Sequence, residues 1–240
     1  KLRGRPATAV VLTILREREN TLKDVSVTRD IIKFQSVREA KILADHIAYI
    51  RLSDFRENTP KDLGDAISKL KAESMDSVVL DLRNNPGGLL DVAVSVTELF
   101  LDQQQVVVTT KGRLRNQNME FRATRNGAIN GLPMVVLINE GSASASEIVA
   151  GAIQDHHRGV IIGEKSHGKG SVQTVFPLKD GSALRLTTSK WFTPAGRPIH
   201  GTGIMPDVIV SFEAPPEEKP KDDTGKEVFD RLEEESGAAP

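Results

Sequence analysis

Apolar positions change period several times along the chain, and each change marks an element. Residues 8–17 (TAVVLTILRE) and 25–34 (VSVTRDIIKF) alternate and are rich in β-branched side chains, which predicts two strands. Residues 46–52 (HIAYIRL) predict another. Residues 59–74 shift to helical spacing, with Leu63, Ile67 and Leu70 on one face, Thr59 as N-cap and Pro60 at the first helical position. Residues 77–82 (SVVLDL) form an apolar run, as expected of a strand covered on both sides. The stretch NNPGG (84–88) breaks the chain, and residues 89–101 then predict a buried helix. Residues 106–110, 134–138 and 160–164 predict further buried strands. Between the last two lies a small-residue helix, 142–157, with Ile148, Ala152 and Ile153 inward. A late strand is expected over 182–192.

Strands alternating with helices predict an α/β core of βα units. The two opening strands look like the end of a small β-rich module. From Pro215 the composition turns to Pro, Glu, Lys, Asp and Gly, which predicts a flexible charged tail over 213–240 with at most a short exposed helix at its end. No internal repeat is apparent.

Composition narrows the function classes. The chain has 240 residues, 38% hydrophobic and 27% charged, which suits one large or two small globular domains. With 32 basic and 33 acidic residues, nothing points to a nucleic-acid partner. Aromatic content of 4% argues against base-stacking platforms. The absence of cysteine excludes disulfides, thiolate nucleophiles and cysteine-metal sites, and leaves the compartment open. The chain opens on Lys1 in mid-pattern and is expected to be a fragment, with any signal peptide or anchor upstream. No apolar stretch reaches the length of a membrane span.

Two stretches carry candidate chemistry. GEKSHGKG (163–170) has the glycine and lysine spacing of a phosphate-binding P-loop. Gly170 stands where that loop needs a Ser or Thr, and no long helix follows, so a nucleotide site is rejected. The stretch NEGSASASEIVAG (139–151) follows a buried strand directly and sets small hydroxyl residues at a strand-to-helix turn. Free N–H groups at such a helix start can stabilise an oxyanion. Simple N-capping explains a serine-rich helix start equally well.

Together the stretches fit a serine nucleophile with a base. His156 and His157 lie at the far end of the helix, ~18 Å from Ser144 at 1.5 Å per residue, too far to act. His167 is not excluded by spacing. Lys169 serves only when neutral, and a lysine side chain in water is neutral about once in 2,500 at pH 7. Burial favours the neutral form. The flanking glycines and apolar strands are therefore expected to enclose Lys169 in dry surroundings.

At these residues the chain resembles the carboxyl-terminal processing, or tail-specific, proteases, serine peptidases that use a Ser-Lys pair. LRG near the start, DLRNNPGGLL, NEGSASASEI, GEKSHGKGSVQT and WFTPAGRPIHGTGIMPDV carry the resemblance in family order, from residue 1 to about 210. It implies Ser144 as nucleophile, Lys169 as general base and Gln173 as the residue holding the lysine. The oxyanion hole would be the backbone N–H groups of Ala145 and Gly88. If Gln173 contacts Lys169, residues 168–173 should form a coiled or helical turn, with the strand starting near Thr174.

The resemblance also implies a crotonase-like core over 31–212, and over 1–30 the closing strands and connection of a PDZ domain, a module that binds chain ends by strand addition. Substrates would be proteins or peptides with accessible C-termini, without metal, nucleotide, nucleic acid or cofactor. An adaptor, a homo-oligomer and a site in the bacterial envelope are implied, with a plastid lumen as the alternative. The chain departs from the family at Ser166-His167, where Thr-Phe is common, and at Ala7, where Gly is usual. Two rival readings are an acyl-thioester enzyme of the crotonase type and a non-catalytic peptide-binding scaffold. A protease silent until a partner or PDZ movement switches it on is a third. Trp191 is expected in the core. Asp81 and Arg83 either orient the NNPGG turn or merely end a strand. Glu147 is expected only as a favourable carboxylate in a first helical turn.

Overall fold

The computed structural model describes residues 2–16, 20–31, 35–129 and 131–211. The tail expected over 213–240 lies outside them. The chain divides into two compact units, with the first boundary between Phe34 and Gln35. In the first unit, β1 (Ala9–Arg16) and β2 (Thr21–Thr28) form an antiparallel hairpin. Among the described residues the second strand thus lies earlier than the expected 25–34, of which 32–34 fall outside the description. It pairs in full register with β1 from Thr21↔Arg16 onward.

The second unit runs from Gln35 to Phe212. Its elements are β3 (Val37–Ile42), β4 (Ile47–Leu52), α1 (Thr59–Ala72), β5 (Ser77–Asp81), α2 (Leu90–Thr97), β6 (Val106–Gly112), β7 (Met119–Arg122), β8 (Met134–Ile138), α3 (Ala145–Asp155), β9 (Val160–Gly163), β10 (Ser171–Pro177), β11 (Ala183–Phe192) and β12 (Val208–Ile209). Six strands form one sheet in the order β12-β9-β8-β5-β4-β3. Five of these are mutually parallel, and β3 joins antiparallel to β4. A second, antiparallel sheet has the order β10-β11-β6-β7. The expected strand at 106–110 therefore leaves the βα series. No crossover helix follows β6, and its short connection returns the chain as its antiparallel neighbour β7.

Helix α1 buries Leu63, Ile67 and Leu70, the predicted stripe, and Thr59 as well. Its N-cap is Asn58 rather than Thr59. The Thr59 hydroxyl is turned back and buried, accepting the Arg56 N–H at 2.9 Å and donating to Ser36 Oγ at 2.7 Å. One face of the parallel sheet packs with the helices through Ala48, Ile50, Val78, Leu80, Val136, Ile138 and Ile161. On the other face Val79, Val135 and Leu137 are half-buried, so within the described residues the apolar strands are fully covered on one side only. Trp191 is buried in the core.

Candidate active site

Three backbone segments meet beyond the C-terminal ends of β5, β8 and β9. The turn after β5 is held by Asn85, which is fully buried. Its side chain donates to Leu52 O at 3.0 Å and accepts the Gly87 N–H at 2.9 Å. Its carbonyl accepts the Ala143 N–H at 3.0 Å and the Ser146 hydroxyl at 2.9 Å. Ser142 donates to Leu82 O at 2.8 Å. The NNPGG and SASAS turns are thus stitched together by the outer two serines, both fully buried.

Ser144 differs from both neighbours. It is half-buried, and its hydroxyl has no hydrogen-bond partner among the described residues. Its backbone, φ 55° and ψ −111°, is a conformation that L-residues avoid, at a cost of about 1–3 kcal/mol. The turn sets Ser144 directly before α3. Among the described residues, the N–H groups of Ala145 and Gly88 have no backbone or side-chain acceptor. Gly87 packs against Ser144, since a Cβ there would lie 2.8 Å from Ser144 Cβ. At Gly88 a Cβ would lie 2.0 Å from the Phe55 carbonyl oxygen, so close backbone approach dictates glycine.

The third segment carries Lys169. Gly168 (φ 88°) and Gly170 are buried, while Lys169 between them is exposed. Gly168 O accepts the Gly201 N–H at 2.9 Å, and a Cβ on Gly170 would lie 2.2 Å from His200 N. The glycines therefore seat the backbone against residues 199–203 and turn the lysine outward. This corrects the expectation of dry walls around Lys169: the tight packing encloses the backbone, not the ammonium. The expected turn over 168–173 is also absent. Strand β10 begins at Ser171, because the loop is anchored through Gly170 O to the Trp191 N–H at 2.8 Å and pairs with β11 at once. A bulge between Val172 and Gln173 is the local irregularity. Gln173 is exposed, and no hydrogen bond joins it to Lys169 among the described residues.

Glu147 joins the segments, a role not expected from its place in the sequence. Its carboxylate is fully buried and accepts four hydrogen bonds. Oε2 takes the N–H groups of Ser144 at 2.8 Å and Lys169 at 2.9 Å. Oε1 takes the Gly168 N–H and the Ser166 hydroxyl, both at 2.6 Å. Ser166 in turn accepts the Ile204 N–H at 2.7 Å, a hydroxyl role that threonine also supplies. The S-x-x-E spacing of Ser144 and Glu147 was the available signal.

Among the described residues no histidine side chain is hydrogen-bonded to Ser144, Glu147 or Lys169. His156 Nε2 is bonded to Val106 O at 2.7 Å. His167 is exposed, and its backbone N–H donates to Ser142 O at 3.0 Å. Beside the NNPGG turn, Asp81 accepts from Arg83 Nη2 at 2.7 Å and from Tyr49 Oη at 2.6 Å. Burial pushes the Asp81 carboxyl up, but the Arg83 and Tyr49 hydrogen bonds outweigh it and hold it below the usual range. No cluster of metal-ligating side chains occurs among the described residues.

Residues 46–210 match the family model for peptidase family S41. The chain is 47% identical to a carboxy-terminal-processing protease of Bartonella bacilliformis, over 93% of this chain and 52% of that protein. It is 42% identical to a probable CtpA-like serine protease of Staphylococcus haemolyticus, over 88% of this chain and 42% of that protein. The structure of a photosystem II D1 C-terminal processing protease superposes with TM-score 0.68 at 32% identity, over 87% of this chain and 57% of that one. The chain spans about half the length of the curated relatives it matches.

Proposed function

The chain belongs to peptidase family S41, and we propose that it carries the catalytic core of a serine endopeptidase that cuts protein chains near their C-terminal ends. The observation that carries this reading is the shared carboxylate. Glu147 binds the backbone of Ser144 and of Lys169, beside two N–H groups that have no acceptor among the described residues.

In the proposed mechanism Lys169, in its neutral form, takes the Ser144 hydroxyl proton as Oγ attacks the peptide carbonyl. The N–H groups of Ala145 and Gly88 receive the negative oxygen. Collapse expels the amine, which takes the proton from the lysine ammonium, and leaves an acyl-enzyme. Water, deprotonated by Lys169, releases the acid and restores Ser144. Gln173 is assigned to steady the lysine, and substrate covering the exposed Lys169 excludes water from it. Strand β10, the sheet edge that starts two residues after Lys169, offers an extended substrate a place to run.

The same reading takes the core as crotonase-like, the β1-β2 hairpin as the end of a PDZ domain, and the setting as the bacterial envelope. It also includes a homo-oligomer and control by the PDZ domain or a partner protein. Among the described residues no helix is long and apolar enough to cross a membrane.

The test is degradation of an unfolded protein with an apolar C-terminus by the intact protein and by Ser144→Ala, Lys169→Ala and His167→Ala. Loss in the first two with retention in the third supports the pair. Cleavage by Lys169→Ala with a dead His167→Ala would make histidine the base.

A further inference from the structure

The second sheet sets two lysines side by side. Lys111 on β6 and Lys190 on β11 are direct cross-strand partners, and Ser171 on β10 lies on the other side of Lys190. The neighbouring positions Thr110 and Trp191 are buried, so both lysines stand on the outer face, where both are exposed. Like charges directly opposite destabilise a sheet. Among the described residues neither ammonium has a carboxylate partner, and Glu120 on the adjoining β7 is already paired with Arg122. Lys111 Nζ instead lies 4.8 Å from the centroid of the Phe192 ring, which orients a cation without neutralising it.

The pair adjoins the segment that carries Lys169. Ser171 faces Lys190 and is two residues from Lys169, and the bond from the Trp191 N–H to Gly170 O carries the β10-β11 pairing on toward the lysine. We propose that Lys111 and Lys190 form a carboxylate-binding site that holds an acidic group of the substrate chain beside the scissile bond. One carboxylate between two ammonium groups turns their repulsion into attraction. The acidic group is either an Asp or Glu side chain or the terminal carboxylate. This inference rests on the peptidase reading of Ser144 and Lys169.

The test uses the intact protein carrying Ser144→Ala, so that bound peptide is not consumed. Three labelled peptides share one sequence: a neutral one with an amidated end, one with a single Gln→Glu exchange, and one with a free C-terminus. Binding is read by fluorescence anisotropy at low and high salt. A carboxylate peptide should bind about fivefold tighter than the neutral one at low salt, an advantage that shrinks as salt rises. Adding Lys111→Gln and Lys190→Gln should abolish that advantage, whereas Lys61→Gln, on α1, should keep it. Loss for the Glu peptide identifies a side chain as the acidic group, and loss for the free-end peptide identifies the terminus. Lys190→Glu should reverse the order in favour of a Gln→Lys peptide, which guards against a double variant that folds poorly. An advantage that survives in the double variant, or is absent in the parent, overturns the proposal. Cleavage is scored separately with Ser144 present: cleavage without carboxylate preference removes this site but leaves the peptidase reading, and preference without cleavage does the opposite.

Discussion

Glu147 grips the backbone of Lys169 across 22 positions of sequence, its Oε2 accepting the lysine N–H at 2.9 Å. The same oxygen accepts the Ser144 N–H at 2.8 Å, so one buried atom fixes the spacing between the two candidate catalytic residues. Glu147→Ala strands four donors and should cost roughly 3 kcal/mol of stability, read from urea unfolding. Glu147→Gln keeps the volume but points an amide N–H₂ at donors. It should lose at least about tenfold in kcat while remaining folded, because small misplacements of reacting groups are costly. A Gln variant with full activity would show that the carboxylate does not set the catalytic geometry.

Gly170 and Gly88 should resist alanine for steric reasons unrelated to chain flexibility. Their added Cβ atoms would lie 2.2 Å from His200 N and 2.0 Å from Phe55 O, both backbone atoms. Gly170→Ala must displace the Lys169 loop from residues 199–203. Its expected cost is about 1–3 kcal/mol, with a larger proportional loss of activity than of stability. Thermal unfolding and cleavage rates on the same preparations separate the two effects.

Gly64 is the opposite case. It lies inside α1, and a Cβ there meets nothing within 4 Å. Gly64→Ala should stabilise by about 0.5–1 kcal/mol, because alanine loses less backbone entropy in a helix. The expected readout is a higher unfolding midpoint with unchanged cleavage. A lower midpoint would contradict the open space at that position.

Acid sensitivity should depend on Asp81. Its folded carboxyl titrates below the usual range, whereas in the unfolded chain it takes up a proton near pH 4. The unfolded state therefore binds more protons in between, and the contribution of Asp81 is present above about pH 4 and lost as pH falls through the depressed folded value. In urea titrations between about pH 6 and 3, Asp81→Asn should be less stable at the upper end and lose less toward the lower. Equal acid slopes for the two proteins would assign the acid loss to other groups.

Most elements were legible in the sequence because their signals are local. The stripe of Leu63, Ile67 and Leu70, the apolar run of residues 77–82 and the small-residue helix after MVVLI each state their own periodicity. The turns bearing Gly88, Ser144 and Lys169 were marked in the same way, by glycines and serines that ordinary helices and strands do not need. Tertiary structure decided what depends on contacts distant in sequence. Strand β6 reads like any buried strand, and only its pairing with β7 and β11 sets it in the antiparallel sheet. Gly168 and Gly170 promised close packing, but only the position of residues 199–203 shows that the backbone is enclosed and the Lys169 side chain is not. Glu147 looked like a favourable charge in a first helical turn. Its hydrogen bonds to Ser166, Gly168 and Lys169 exist only when β9 delivers that loop to the start of α3. A hydrophobic pattern encodes which face of an element is buried, whereas a hydrogen bond between distant segments depends on where the whole chain brings them.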